Sequence, residues 1–156
     1  MKTELLLVGK TNNKHYIACI NDYVERIGHY MPFSITVIPE LKQTKSLTEE
    51  QQKVREGELI LEKILPSDTV VLLDEHGKQF RSIELADWLQ RKQLNSRRLV
   101  FVIGGPYGFS QEVYKRANEQ ISLSPLTFSH QMVRLVFTEQ IYRACTIIKG
   151  EPYHHE

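Results

Sequence analysis

Five short apolar runs alternate with stretches of helical periodicity, and this alternation restricts the fold more than any other feature of the chain. Leu5–Val8, Phe33–Ile38, Thr69–Leu73, Leu99–Ile103 and Ile121–Leu123 read as strands. His15–His29, Thr48–Ile64, Ser82–Gln93, Ser110–Asn118 and Gln131–Lys149 read as helices, and Leu41–Ser46 as a polar loop. In His15–His29 the spacing is explicit: Ile17, Ile20, Val24 and Ile27 recur three and four positions apart. Pro66 ends the second helix, while Ser82 and Ser110 stand where caps of the third and fourth belong. The resulting βαβαβαβαβα order predicts an α/β fold whose parallel sheet is covered by helices on both faces. Thr69–Leu73 and Leu99–Ile103 are apolar throughout, as buried strands of such a sheet must be.

At 156 residues the chain is the size of one domain. A domain this long buries roughly 70% of its unfolded surface and needs no staples. Apolar residues at 41% and charged residues at 25% argue for a packed chain rather than a disordered one. The formal net charge of +1 is well below that usual for a coat-like nucleic-acid binder, so any RNA contact would need a local patch and a shaped pocket. Cys19 and Cys145 lie in apolar helical stretches with no metal-ligand spacing, and read as buried, reduced thiols of a cytoplasmic protein. MKTELLLVGK has too short an apolar run for a signal peptide, and no run approaches the ~20 residues of a membrane span.

The final helix carries more apolar and aromatic surface than one sheet face requires. Met132, Val133, Leu135, Val136, Phe137, Ile141, Tyr142, Ala144, Cys145, Ile147 and Ile148 occupy more than half its circumference. The excess points to a second buried face, covered by a partner subunit or by the same chain; a two-fold dimer is the default geometry.

Four segments could carry chemistry. LVFVIGGPYGFS (Leu99–Ser110) runs from a strand through Gly104, Gly105 and Gly108 to a helix cap. Such glycines let backbone approach a ligand at the carboxyl end of a sheet. VVLLDEHGK (Val70–Lys78) turns at the same end, with Asp74 either a general base or a turn residue. ISLSPLTFSH (Ile121–His130) mixes hydroxyls with Leu123, Leu126 and Phe128, a lining suited to a purine and a ribose, with His130 capping or buttressing the next helix. GEPYHHE (Gly150–Glu156) offers Tyr153 to stack on a base and His154 as a candidate proton acceptor. The G-x-G-x-x-G fingerprint and its acidic partner are missing, which counts against a nicotinamide-dependent oxidoreductase.

Together LVFVIGGPYGFS, SLSPLTFSHQMVRLVFTEQIYRA and GEPYHHE resemble the bacterial 23S rRNA pseudouridine N3-methyltransferases, of the knotted SPOUT class, over the full length and most strongly from Leu73 onward. The resemblance implies a single SPOUT methyltransferase domain over 1–156 with a C-terminal trefoil knot. It implies a homodimer in which the tail, 150–156, of one subunit completes the site of the other. S-adenosylmethionine would be held by Leu73, Gly104, Gly105, Leu123, Ser124, Pro125, Leu126, Thr127 and Phe128, with no metal. Tyr153 and His154 would be catalytic, Tyr153 positioning the base and His154 assisting loss of its imino proton. Arg143 and His155 would contact RNA, although a histidine at 155 replaces the basic residue of relatives and weakens a phosphate contact. The substrate would be a pseudouridine of 23S rRNA in the assembled ribosome. Arg91, Lys92, Arg97 and Arg98, or Lys42 and Lys45, would supply a basic patch toward it. A non-catalytic ribosome-binding protein on the same fold is the alternative; it would bind without the cofactor.

Overall fold

The structure, a computed structural model, describes residues 2–156. Strands β1 (Lys2–Val8), β2 (Phe33–Ile38), β3 (Thr69–Gln79), β4 (Arg98–Ile103) and β5 (Glu119–Ser122) form one sheet in the order β2-β1-β4-β3-β5. All neighbours pair in parallel, as the alternation predicts. The helices are α1 (Lys14–Gly28), α2 (Glu49–Glu62), α3 (Ser82–Asn95), α4 (Gln111–Arg116) and α5 (His130–Lys149), with one 3-10 turn at Thr44–Ser46 inside the predicted polar loop.

The two-residue period of the strands sorts their side chains into two cores. Leu5, Leu7, Val71, Leu99, Phe101 and Ile103 face α1, α3 and α5. Leu6, Val70, Leu72, Val100 and Val102 face α2 and α4. The connections through α1 and α3 step one way across the sheet, and those through α2 and α4 step the other way on the opposite face. Reversing direction and face together keeps every crossover of one hand.

Three features depart from the sequence reading. β3 does not stop at Leu73: Leu73 and Lys78 both face Ile121, so residues 74–77 leave the ladder and rejoin it. Asp74 and Glu75 end the apolar run, and the resumed pairing at the sheet edge leaves no hydrophobic signal. Gly77 is required there, because a Cβ would come within 2.6 Å of the backbone of Gln120 and Ile121. α3 begins at Ser82 rather than being capped by it: Arg81 is the cap residue, and Glu84 Oε1 accepts from its N–H at 2.8 Å. Cys19 is exposed. α1 buries Ile20 and Ile27, which turns the residue next to Ile20 outward. Cys145 is buried, and burial pushes its thiol up to about 12.

α5 is packed by α1 and α3, and no residue from Gln131 to Ile148 is exposed. Phe137, Ile141, Ala144 and Cys145 form the core side, while Met132, Leu135 and Val136 are half-buried.

Candidate functional site

A cavity of about 480 Å³ opens at the carboxyl ends of the central strands. Open parallel sheets place their ligand crevice at this end. Three segments wall it: Leu73–His76, Gly104–Phe109 and Ser122–Ser124 with Leu126–Phe128. His130 and Val133 close it from the start of α5.

The glycine loop is a tight turn. Gly108 N–H donates to Gly105 O at 3.2 Å, with Pro106 at the second position and Gly108 at φ 82°. Gly104 and Gly105 are demanded from within the protein. A Cβ on Gly104 would lie 2.9 Å from the Phe109 ring, and one on Gly105 would lie 2.4 Å from Glu56 Oε1. Behind the loop, Ser110 Oγ accepts from Val113 N–H at 3.3 Å and caps α4, as expected.

The hydroxyls of the third segment brace the loop itself. Ser122 Oγ donates to Ser124 O at 3.0 Å, and Ser124 Oγ accepts from Leu126 N–H at 3.0 Å. Ser129 Oγ caps α5 through Met132 N–H, which leaves His130 on the cavity wall and not in the capping role. What this wall offers a ligand is therefore mostly apolar. Leu126 is 75% exposed, Tyr107 43% and Phe128 38%. Asp74 is a turn residue: Oδ1 accepts from His76 N–H at 2.9 Å, and Oδ2 accepts from the Tyr114 phenol. Burial and this carboxylate raise the Tyr114 pKa, and both Asp74 oxygens already accept hydrogen bonds.

Eight of the nine residues assigned to a cofactor from the sequence line this cavity; Pro125 is exposed and does not. The tail lies elsewhere. Gly150, at φ 70°, ends α5, and the chain folds back along α1 and α5. Tyr153 packs edge-on to Tyr142 with ring centroids 4.7 Å apart, and its hydroxyl donates to Glu139 Oε1 at 3.0 Å. Burial, then its contacts with Tyr23 and Glu139, raise the Tyr153 pKa. Arg143 lies 4.9 Å over the Tyr153 ring, donates to Glu139 Oε1 at 2.6 Å and contacts His154 Nδ1 at 3.0 Å. Tyr30 donates to Glu151, which with burial pushes its phenol up to about 12. Neither Tyr153 nor His154 lines the cavity. His155 is exposed and makes no hydrogen bond or ion pair among the described residues.

Three positions around the cavity and the tail escape the sequence reading. Glu139 joins Arg143 and Tyr153; its only signal is an acid four residues before a base on a mainly apolar helix. Arg134, 2% exposed, donates to Val8 O, Gly9 O and Thr11 Oγ1 at 2.8–3.0 Å and pins α5 to the end of β1. Glu56, 4% exposed, backs the glycine loop, and its Oε1 has no hydrogen-bond partner.

Of the two basic patches, Arg97–Arg98 sits at the amino end of β4, away from the cavity. Arg98 is occupied by Lys63 O at 2.8 Å, Asp68 at 3.4 Å and Glu4 at 3.5 Å. Lys42 and Lys45 follow the carboxyl end of β2, the cavity's end of the sheet, and both are exposed. Among the described residues there is no cluster of metal-ligating side chains and no helix long and apolar enough to cross a membrane.

Comparison with known proteins covers the whole chain. Residues 1–154 match the model of a family described as "Predicted SPOUT methyltransferase". A Bacteroides fragilis protein named "Ribosomal RNA large subunit methyltransferase H" is 63% identical over 157 residues, with all of both chains covered. Proteins of the same name from Phocaeicola vulgatus and Flavobacterium johnsoniae are 62% and 52% identical, again over all of both chains.

Proposed function

The chain belongs to the SPOUT methyltransferase family, and from that premise we propose that it methylates large-subunit ribosomal RNA with S-adenosylmethionine as the methyl donor. The observation that carries the reading is the cavity at the carboxyl ends of the strands, where the three segments singled out by their chemistry converge.

The residues present suit the donor. A volume of about 480 Å³ falls in the range of small-molecule sites. The exposed faces of Leu126, Phe128 and Tyr107 give a flat aromatic ring something to cover. Leu73, Gly104, Gly105, Leu123, Ser124, Leu126, Thr127 and Phe128 would hold it, with Pro125 stiffening the loop between Ser124 and Leu126. When bound, the donor supplies an electrophilic methyl group on a positively charged sulfur, so neither a metal nor a covalent enzyme intermediate is needed. The protein's own task is alignment. The self-braced Ser122–Leu126 loop and the tight Gly105–Gly108 turn hold the donor side rigid. Tyr153 and His154 are the groups that meet the acceptor base.

The finer assignments belong to the same proposal. The acceptor is N3 of a pseudouridine in 23S rRNA, presented by the assembled ribosome in the cytoplasm. The enzyme is a homodimer, and the tail of each protomer serves the cavity of its partner. Two features support this: the tail packs away from its own cavity, and α5 keeps the half-buried face of Met132, Leu135 and Val136. A C-terminal trefoil knot belongs to the same proposal and rests on the family membership. Arg143 and His155 lie on the tail side, where RNA would enter.

Calorimetric titration with S-adenosylmethionine tests the cavity assignment. One donor per chain is expected for the parent. Leu126→Asp, which replaces the exposed apolar side chain of the cavity wall with a charge, should lose binding while keeping the fold by circular dichroism. Unchanged affinity in a folded variant would move the donor site elsewhere.

A further inference from the structure

Arg143 does more than lie near the tail; it fixes which nitrogen of His154 can carry a proton. Its guanidinium holds only donors and stays protonated at any working pH. Nη1 lies 3.0 Å from His154 Nδ1, so Nδ1 must be the accepting nitrogen, and the neutral ring carries its hydrogen on Nε2. Arg143 is itself held in place. Nη2 donates to Glu139 Oε1 at 2.6 Å, and the same oxygen accepts from the Tyr153 hydroxyl at 3.0 Å. Glu139, Arg143, Tyr153 and His154 thus form one chain of hydrogen bonds, with the guanidinium stacked on the Tyr153 ring. The His154 side chain is 12% exposed, and its Nε2 is buried without a hydrogen-bond partner. The nearest carboxylate, Glu156 Oε1, stands 3.4 Å away. A buried donor left unmatched is costly, and such atoms call for a functional explanation.

We infer that Arg143 and Glu139 set His154 as a neutral Nε2–H tautomer, making it a hydrogen-bond donor to a carbonyl oxygen of the acceptor base. This rests on the methyltransferase reading above. The chemistry fits a donor at this point. A pyrimidine imide that loses its N–H proton spreads the negative charge onto the two flanking carbonyl oxygens. A pre-oriented N–H aimed at one of them stabilises the anion and favours its formation. The proton itself goes to solvent water, the nitrogen lone pair forms the new N–CH₃ bond, and the S–CH₃ bonding pair returns to sulfur. His154 is then a catalytic residue through its donor, and Arg143 and Glu139 are positioning residues.

The direct test is long-range ¹H–¹⁵N spectroscopy of the full-length protein with ¹⁵N-labelled histidine. The chain has six histidines, and the His154 signals are assigned by their loss in His154→Gln. A pyridine-like Nδ1 with a protonated Nε2 is expected in the parent, collapsing toward tautomer averaging in Arg143→Met. A proton on Nδ1, or a doubly protonated ring at pH 7, overturns the inference. The kinetic counterpart uses two variants. Gln places an N–H donor near the position of Nε2 but cannot accept a proton. His154→Gln should stay within about tenfold of the parent kcat, the scale of an imperfectly aligned hydrogen bond. His154→Ala should lose about 10²–10³-fold, as when an oxyanion donor is removed. Equal kcat in the two variants overturns the donor role. If the parent transfers no methyl group at all, the methyltransferase reading fails, while the spectrum still decides the tautomer.

Discussion

Glu56 shows how one residue couples the cavity wall to the fold. It is buried behind Gly105 with one oxygen unpartnered, and burial raises its pKa above the usual carboxylate value, partly offset by Gln52. His130 and Glu40 also act on it, with opposite signs. A carboxyl with a raised folded pKa binds its proton more tightly folded than unfolded. Its contribution is favourable below the unfolded value of about 4.3 and is lost as pH rises through the folded pKa. Glu56→Gln should therefore be more stable than the parent at pH 7–8, with the difference shrinking toward pH 4. An unsatisfied buried group costs about 1–3 kcal/mol, and each kcal/mol moves Tm by roughly 2–4 °C at this chain length. Thermal melts across pH check it; a Tm gap that is independent of pH, or a less stable variant at neutral pH, contradicts the assignment. At this scale the cavity lining was legible, because strand-end glycines and a mixed hydroxyl–apolar loop carry local signals. Glu56, Glu139 and Arg134 were not. A charged residue on a helix reads as solvated until the tertiary structure buries it.

Among the elements, loops at the carboxyl end of the sheet separate from those at the amino end, and only the first group can share a ligand with the cavity. Two basic patches look equivalent in sequence. Their surroundings differ: Arg98 pairs with Asp68, Glu4 and the Lys63 carbonyl and Arg97 is exposed at the amino end of β4, whereas Lys42 and Lys45 are exposed on the cavity's side. Neutralising Lys42 and Lys45 together should weaken ribosome binding and reduce its salt slope by about one to two phosphate contacts. Arg97→Gln should leave both unchanged. Binding measured over a salt series decides it, and the reverse pattern would place the RNA at the other end of the sheet. Element boundaries were legible where a cap or an apolar run marks them, as at Ser110 and Thr69. The second half of β3 was not, because its pairing with β5 follows an excursion stabilised by backbone approach at Gly77 and not by side-chain pattern.

For the whole molecule, the alternation of strands and helices was enough to foresee a parallel α/β sheet. The order β2-β1-β4-β3-β5 was not, since it depends on which strand edges meet after collapse. The tail was visible as chemistry but not as geometry. Only the folded chain shows Tyr153 and His154 tethered to Glu139 and Arg143, clear of their own cavity. A site shared between protomers makes a specific demand. If the proposed dimer shares its sites, mixing Leu126→Asp chains with His154→Ala chains should restore methyl transfer, because one of the two sites in each heterodimer would combine an intact cavity with an intact tail. Random pairing predicts recovery to about one quarter of the parent rate. No recovery despite subunit exchange would mean that tail and cavity act within one chain.

The most direct test of the account is transfer of a labelled methyl group from S-adenosylmethionine to ribosomal RNA. The purified protein would be offered assembled ribosomes, free large subunits and naked rRNA from a strain lacking the enzyme, followed by mass spectrometry of the released nucleosides. The account predicts a methylated pseudouridine in 23S rRNA, formed on assembled ribosomes. Donor binding without methylation of any of the three RNAs would contradict it.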